Sequence, residues 1–173
     1  MKKVVVFLLL AVFLAGCGAE PTYETITDSI PIEPVAVQQQ FYVSLPQEAA
    51  APTFEDGSDA ELYVCQGYTI SKQVLESGDL DKTLQTLTGY SREELELIKT
   101  RQGSADRYDF VWTATGEEGL QLGRACILDD GNYHYTLSAL AEEAMAGNLQ
   151  STFREMFDSC TLLDPEINLR TGS

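Results

Sequence analysis

The chain has 173 residues but only one histidine, His134, and this scarcity limits the kinds of active site it can hold. A Ser-His-Asp or Cys-His catalytic group would have to be built around that residue. A histidine-based metal centre would lack a second histidine. His134 lies between Tyr133 and Tyr135 just after a predicted turn, and no nucleophile-elbow sequence surrounds it. We therefore expect His134 to be an ordinary strand residue. We also expect the chain to have no catalytic residues, no metal ligands and no enzyme activity.

Positive charge is also scarce. Eleven Lys and Arg residues face 27 Asp and Glu residues, which gives a formal net charge of −16. Nucleic-acid binding needs clustered cations, so no nucleic-acid partner is expected. A strongly negative field favours cationic partners or loosely held metal ions. An acidic surface also simply keeps an exported protein soluble, and this simpler interpretation is favoured.

Long hydrophobic runs are missing as well. The longest, 4–14, is too short to span a bilayer as a helix. It follows the basic start Met1-Lys2-Lys3 and leads into small residues, which is the order of a secretory signal. The sequence Leu14-Ala15-Gly16-Cys17 resembles the lipobox of bacterial lipoproteins, in which the cysteine becomes the lipidated first residue.

This resemblance implies a signal peptide over 1–16 and a mature chain that begins at an acylated Cys17. Its partner would be the lipid bilayer, and the protein would be extracytoplasmic and lipid-anchored to the cell membrane. Loss of Lys2 and Lys3 leaves 9 basic against 27 acidic side chains, a charge near −18. Residues 17–39 are rich in Pro, Thr and Glu and are predicted to be a flexible tether. The alternative is an ordinary secreted protein in which Cys17 is accidental.

No Cys-x-x-Cys motif occurs among the remaining cysteines, Cys65, Cys126 and Cys160, which argues against a redox dithiol or a zinc site. Cys126 shares the parity of apolar residues in its strand, and Cys160 lies on the apolar stripe of the last predicted helix. A disulfide between these two would stabilise the fold by about 3–4 kcal/mol in the chain-entropy model. Cys65 would then be the unpaired thiol. Three buried free thiols are an equally good interpretation.

Alternating apolar residues predict the strands of a domain over 40–164. Predicted β segments cover Phe41 to Leu45, Glu61 to Leu75 with a bulge or bend at Gly67, and a three-strand meander over 107–140. Strands joined by tight turns are antiparallel, so the fold class is α+β, an antiparallel sheet with helices packed on its faces. Residues 165–173 are predicted to be a disordered tail.

Three helices are predicted between and after these strands. The first begins at 77–79, carries Leu80, Leu84 and Leu87, and ends at Gly89. The second begins with a capping box formed by Ser91 and Glu94, with Leu95 and Ile98 pointing inward, and fades by Arg101. The third repeats apolar residues from Met145 to Cys160 over roughly four turns.

Two further groups of residues allow both a functional and a structural interpretation. Asp129, Asp130 and Asn132 around Gly131 are similar to part of a calcium loop, but the closing Glu is missing and a hairpin turn is favoured. Six aromatic residues on predicted strands would either line a groove for a ligand or partner or pack beneath helices, which is favoured: Tyr63, Tyr68, Tyr108, Trp112, Tyr133 and Tyr135.

The order of elements over 40–163 resembles the PsbP-like fold, a family of photosystem II extrinsic subunits and small bacterial lipoproteins. The likeness is carried by the aromatic strand 108–112, the hairpin 127–135 and a closing helix that ends with Met156-Phe157-Asp158-Ser159-Cys160. It implies an α/β/α sandwich and typically no catalysis; no binding residue and no cofactor are carried over. We therefore expect a non-catalytic binding or scaffolding domain at the cell envelope with an envelope protein as partner. The alternatives are a small-ligand or metal-ion receptor and, third, an envelope hydrolase built on His134.

Overall fold

The structure is a computed structural model, and it describes residues 36–54, 60–116 and 119–163. The predicted signal peptide, Cys17, the tether up to residue 35 and the tail 165–173 lie outside the described residues. Their boundaries, and those of the domain 40–164, therefore stay predictions. All described residues belong to one unit that spans Ala36–Ser173.

The described segments form nine strands, three α-helices and one 3₁₀ turn. The strands are β1 (Gln40–Tyr42), β2 (Thr53–Phe54), β3 (Glu61–Cys65), β4 (Tyr68–Glu76), β5 (Ile98–Gln102), β6 (Ala105–Gly116), β7 (Gly119–Asp129), β8 (Tyr133–Glu142) and β9 (Thr161–Leu163). The helices are α1 (Leu80–Thr88), α2 (Glu143–Ala146) and α3 (Gln150–Ser159), and the 3₁₀ turn covers Arg92–Glu94.

Seven of the strands form one sheet in the order β2-β3-β4-β8-β7-β6-β5, and β1 pairs separately with β9. Every pairing is antiparallel. The predicted meander is confirmed as β6, β7 and β8, because alternating apolar residues and tight turns fix both pairing and register. The fold class is therefore α+β, as predicted.

Helix α1 begins and ends where its sequence signals lie. The Asp79 carboxylate accepts a hydrogen bond from the Asp81 amide at 3.0 Å and so caps the first turn. Gly89 takes the left-handed conformation at φ 79° and donates its amide to the Gln85 carbonyl at 2.8 Å, which ends the helix. The buried Leu84 then faces the sheet.

The segment 61–75 is not one bent strand as predicted but a hairpin of β3 and β4. Cys65 pairs with Tyr68 across a two-residue turn, and Gly67 adopts φ 81° within it. Because the chain reverses at this turn, the residues of β3 do not alternate in step with those of β4, as they would in one continuous strand. Tyr63 now lies opposite Ile70 on the buried side, whereas Val64 is 67% exposed.

The second predicted helix is wrong beyond its first turn. The capping box of Ser91 and Glu94 forms, but it closes only the 3₁₀ turn. Ile98–Gln102 then pairs with β6 as the edge strand β5, and Ile98 is 62% exposed rather than inward-pointing. Backbone pairing with β6 outweighs the weak helical periodicity of this short segment.

The third predicted helix is interrupted. Helix α2 ends at Ala146, and α3 starts only at Gln150 after a turn around Gly147. Cys160 is the C-cap residue of α3 rather than part of its last turn, yet it is fully buried. The apolar stripe therefore reaches the sheet as predicted, although from two helices.

The sheet buries a different core on each face. The α3 face is covered by α3, and its core consists of sixteen buried residues from β1, β3, β4, β6, β7, β8 and the segment 149–160. The α1 face is covered by α1, and its core has only six buried residues: Leu84, Tyr108, Phe110, Trp112, Ala125 and Ile127. Helices on both faces give the α/β/α layering expected for the fold class.

Candidate functional site

The sheet has an uncovered strand edge along the second half of β6. Strand β5 pairs with β6 only over 105–109, where Ile98 lies opposite Asp109. Strand β6 continues to Gly116 without β5, while β7 pairs with it from Asp106 to Gly116 on the other side. The edge from Val111 onward has no neighbouring strand among the described residues, and exposed edges of this kind are ready to pair with another chain.

An apolar groove lies along this edge and encloses about 540 Å³. That volume falls in the range of ligand-binding clefts. Its walls come from the loop after α1, from adjacent parts of β6 and β7, and from the α2–α3 region: Tyr90, Glu94, Leu95, Val111, Trp112, Thr113, Leu122, Gly123, Arg124, Ala146 and Phe153. Two of its apolar side chains, Val111 and Leu122, are 66% and 36% exposed. An exposed apolar groove of this kind favours binding of a partner or ligand.

Trp112, the only tryptophan, forms part of this groove and is held by Gly123 on the paired strand. A Cβ atom placed on Gly123 would lie 2.3–2.5 Å from the indole carbons. The indole therefore packs flat against the glycine, which only a residue without a side chain permits. Phe110 supports it from the same strand, with ring centroids 5.8 Å apart.

Arg124 gives the groove a cation that lacks an ion pair among the described residues. Its guanidinium lies 4.6 Å from the centroid of the Phe157 ring, a cation–π contact. Arg124 pairs with Val111 across the sheet, so the cation lies beside the open edge.

The opposite wall carries one carboxylate that is already engaged. Glu94 accepts hydrogen bonds from the Ser91 amide and hydroxyl, both at 2.8 Å, and these bonds hold the pKa of Glu94 below its usual value. Tyr90 donates its hydroxyl to the Thr113 carbonyl at 2.9 Å. This bond shows that the Thr113 carbonyl points away from β7 and into the groove.

The groove is chemically suited to binding. It offers apolar side chains, an aromatic surface, a guanidinium and backbone groups of a strand edge. The side chains that line it include no histidine, cysteine or serine. From the sequence, Trp112 is a candidate either for a ligand or partner groove or for core packing, and Glu94 and Leu95 are predicted only as parts of a helix. The sequence carries no functional signal for the other lining residues.

His134 lies elsewhere, buried beneath α1 with 2% of its surface exposed. Its Nδ1 is 2.8 Å from the Thr83 hydroxyl, and its Nε2 is 3.4 Å from the Ser77 hydroxyl. The sequence prediction of a strand residue is confirmed, since His134 is the second residue of β8. Its hydroxyl neighbours come from α1 and the preceding loop, and local sequence pattern cannot reveal them.

The arrangement around His134 differs from a catalytic triad. Asp129 lies 3.7 Å from Nε2, the same ring nitrogen that Ser77 approaches. A triad carboxylate binds the other ring nitrogen and leaves Nε2 free for the nucleophile. Here Thr83 occupies that other nitrogen, so the geometry does not support a nucleophile–base pair.

The acidic residues around Gly131 form the predicted hairpin turn. The Asp129 carboxylate accepts the Gly131 amide at 2.8 Å, and the Asp130 carboxylate accepts the amides of Asn132 and Tyr133 at 2.9 and 2.8 Å. These carboxylates are therefore used to close the turn. Across the described part of the chain, no group of three or more His, Cys, Asp or Glu side chains is placed to hold a metal ion.

Cys126 and Cys160 meet in the core of the α3 face. Their sulfur atoms are 3.7 Å apart and both residues are fully buried as thiols. The hydrogen bond between the sulfurs, together with burial, raises the pKa of Cys126. Cys65 is also a free thiol and is only partly buried. The disulfide itself remains a prediction.

The aromatic residues predicted on strands mostly pack in the two cores. Tyr63, Tyr68 and Tyr135 are buried on the α3 face, and Tyr108 and Trp112 on the α1 face. The favoured structural interpretation is therefore correct for these five, and Trp112 additionally lines the groove. Within the residues that the structure describes, no helix has the length and apolar character needed to cross a membrane.

Comparison with known proteins gives a likeness of fold only. No family model and no curated protein sequence matches the chain. Among solved structures, LpqN of Mycobacterium tuberculosis, described as involved in cell envelope biogenesis, is similar at a TM-score of 0.52 and 11% identity, over 74% of this chain and 85% of LpqN. A protein of Bacteroides thetaiotaomicron aligns at a TM-score of 0.49 and 13% identity over 73% of this chain, which spans 46% of that protein.

Proposed function

We propose that this chain is an extracytoplasmic lipoprotein whose domain binds a protein partner at the cell envelope without catalysing a reaction. The acylated Cys17 would hold the domain at the membrane, and two or more acyl chains would make that attachment stable. The observation that carries the binding role is the apolar groove along the open edge of β6. The resemblance of the domain to the PsbP-like fold adds the expectation that it is non-catalytic.

Three features support binding at this groove. Val111 and Leu122 remain exposed although the sheet has apolar cores on both faces. Trp112 is fixed by Gly123, so an aromatic surface is preformed at little entropic cost. Arg124 adds a cation beside the edge. Buried aromatic anchors and arginines carry much of the affinity in protein interfaces.

The likeness to LpqN is consistent with a place at the envelope. LpqN is described as involved in cell envelope biogenesis. At 11% identity the two chains share a fold, and the extension to a shared location is part of this proposal. The predicted signal peptide and lipobox point to the same compartment independently.

The second candidate function is a small-ligand receptor, because about 540 Å³ also suits a small molecule. A ligand that binds only the native state raises the melting temperature, and a solute or cation screen would detect this. Binding near Trp112 would also change its emission, which reports on this groove alone because the chain has no other tryptophan.

Crosslinking in living cells tests the proposal. A photoreactive residue at Val111 should capture an envelope protein, whereas one at Val64 should not. The two valines are a matched pair, since they lie on strands and are 66% and 67% exposed. Equal capture at both positions, or none at Val111, would contradict the proposed site. Mass spectrometry of the N-terminus should find an acylated Cys17; a bare thiol or a retained 1–16 would contradict the anchor.

A further inference from the structure

The open edge of β6 presents unpaired backbone groups, and these indicate which kind of partner the groove could bind. Along a strand, the amide and carbonyl of every second residue point to the same side. The Tyr90 hydroxyl bonds to the Thr113 carbonyl, so Thr113 points away from β7, and Val111, two residues earlier, points the same way. Among the described residues the backbone groups of Val111 and the amide of Thr113 have no hydrogen-bond partner.

These groups continue a pattern that β5 already uses. Ile98 lies opposite Asp109 and Thr100 opposite Arg107, so the outward groups of β6 are paired up to residue 109 and open beyond it. A second strand aligned end to end with β5 would pair with Val111 and Thr113 and cover the groove. Tyr90 occupies one donor position of that absent strand, because its hydroxyl donates to the Thr113 carbonyl where a backbone amide would otherwise do so.

Local charge indicates the composition of such a strand. Glu94 and Leu95 line the groove, and the neighbouring Glu93 and Glu96 are exposed. Arg124 is the one cation among the lining residues, and Arg92 in the same turn is paired with Asp81. Acidic side chains therefore outnumber unpaired cations at this part of the edge. The chain as a whole has a net charge of −16. A second copy of this chain would bring like charge to the same edge, whereas a basic segment would be attracted to it.

We propose that the open edge of β6 accepts an extended, basic polypeptide segment of a partner protein, which adds a strand beside Val111–Thr113 and places apolar side chains in the groove. This inference rests on the proposed function and specifies its partner. Main-chain hydrogen bonds to Val111 and Thr113 would supply affinity. The side chains of the residues that make these bonds would lie on the same face as Val111 and Leu122 and would supply specificity.

Synthetic nonamers test the inference with the whole mature protein. The probe set has Val or Thr at odd positions and Lys at even positions. One control set carries N-methyl groups on the odd-position amides, and a second has Glu in place of Lys. Binding is followed by Trp112 emission and by hydrogen exchange at the Val111 and Thr113 amides.

The basic probes should slow exchange at both amides and shift Trp112 emission. N-methylated probes should bind at least about tenfold weaker, because they cannot donate the main-chain hydrogen bonds to β6. The Glu probes should also bind more weakly. The inference is overturned if methylated or acidic probes bind equally, if no probe protects the two amides, or if both amides are already protected in the free protein by its own chain or a second copy.

The same experiment separates this inference from the proposed function. If Val111 captures a partner in cells but no basic probe binds, the groove remains the proposed site and the proposal of strand addition is wrong. Absence of both would make the proposed site wrong as well.

Discussion

The two faces of the sheet differ in how completely they are covered. On the α3 face, sixteen buried residues form a core that extends from β1 to the end of α3. On the α1 face, six buried residues pack beneath one helix, and this smaller core ends at the open edge of β6. The larger core carries most of the stability. The open edge of β6, where Val111 and Arg124 point to the α3 side of the sheet and Trp112 to the α1 side, is the region we propose for a partner.

The largest effect on stability is expected for Phe157→Ala on the α3 face. Phe157 is fully buried, stacks edge-on against Phe153 and supports the Arg124 guanidinium. Its removal should lower the free energy of unfolding by about 3–5 kcal/mol, as for other buried phenylalanines. Urea denaturation measures this loss, and Val64→Ala, at an exposed position, is the control. A loss below about 1 kcal/mol would contradict the structural role of this face.

Oxidation of the Cys126 and Cys160 thiols should strengthen the same face. Oxidised glutathione would accept two electrons and two protons from the pair by thiol exchange and leave a disulfide. For protein that is acylated at Cys17, we expect thiol titration in denaturant to fall from three groups to one, and the unfolding free energy to rise by about 3–4 kcal/mol. Persistence of three thiols would favour the alternative of buried free cysteines.

Gly123→Ala should disturb the α1 face at the groove. The added methyl group would meet the Trp112 indole at 2.3–2.5 Å, so the indole must move. We expect a loss of about 1–3 kcal/mol and a red shift of Trp112 emission. Gly147→Ala is the matched control, since a Cβ there meets nothing within 4 Å. Unchanged emission in Gly123→Ala would contradict the packing described for this groove.

The smallest expected effect is a pH dependence on the α3 face. Burial and the hydrogen bond to Glu61 raise the pKa of Tyr63 to about 12. Because the unfolded phenol has a pKa near 10, the fold favours the protonated form, and this contribution is complete below about pH 10 and lost as pH rises toward 12. Burial also raises the pKa values of Tyr68 and Tyr135, so ultraviolet titration should show several late phenols. Tyr63→Phe should remove the one that titrates near pH 12. If that variant leaves the titration between pH 11 and 12 unchanged, the assignment is wrong.

Strong local signals made much of the fold predictable. Asp79 and Gly89 mark the ends of α1, and alternation along Tyr108, Phe110 and Trp112 fixes the buried side of β6. Strand β5 could not be predicted, because four of its five residues are exposed and show no alternation. The sequence around Gly67 also fits a bend, and it does not reveal the two-residue turn that places Val64 on the exposed side of β3.

The candidate site was much less predictable than the fold. The groove exists because β5 stops opposite Asp109 while β6 continues to Gly116, and the relative lengths of two neighbouring strands are a tertiary property. In the sequence, Arg124 is indistinguishable from an ordinary exposed strand residue. Its contact with Phe157 forms only in the folded domain. Gly123 gains its role only through the indole across the strand pair.

The most direct test compares Val111→Lys with Val64→Lys in the anchored protein. Each adds one cation at an exposed strand position, so both variants should keep the unfolding free energy within about 0.5 kcal/mol of the wild type. A photoreactive residue at Leu95, in the groove, then reports partner capture in cells. The account predicts that Val111→Lys abolishes capture, because a lysine on the open edge blocks strand pairing and repels a basic segment, whereas Val64→Lys leaves capture unchanged. Undiminished capture by Val111→Lys would contradict the claim that this edge binds the partner.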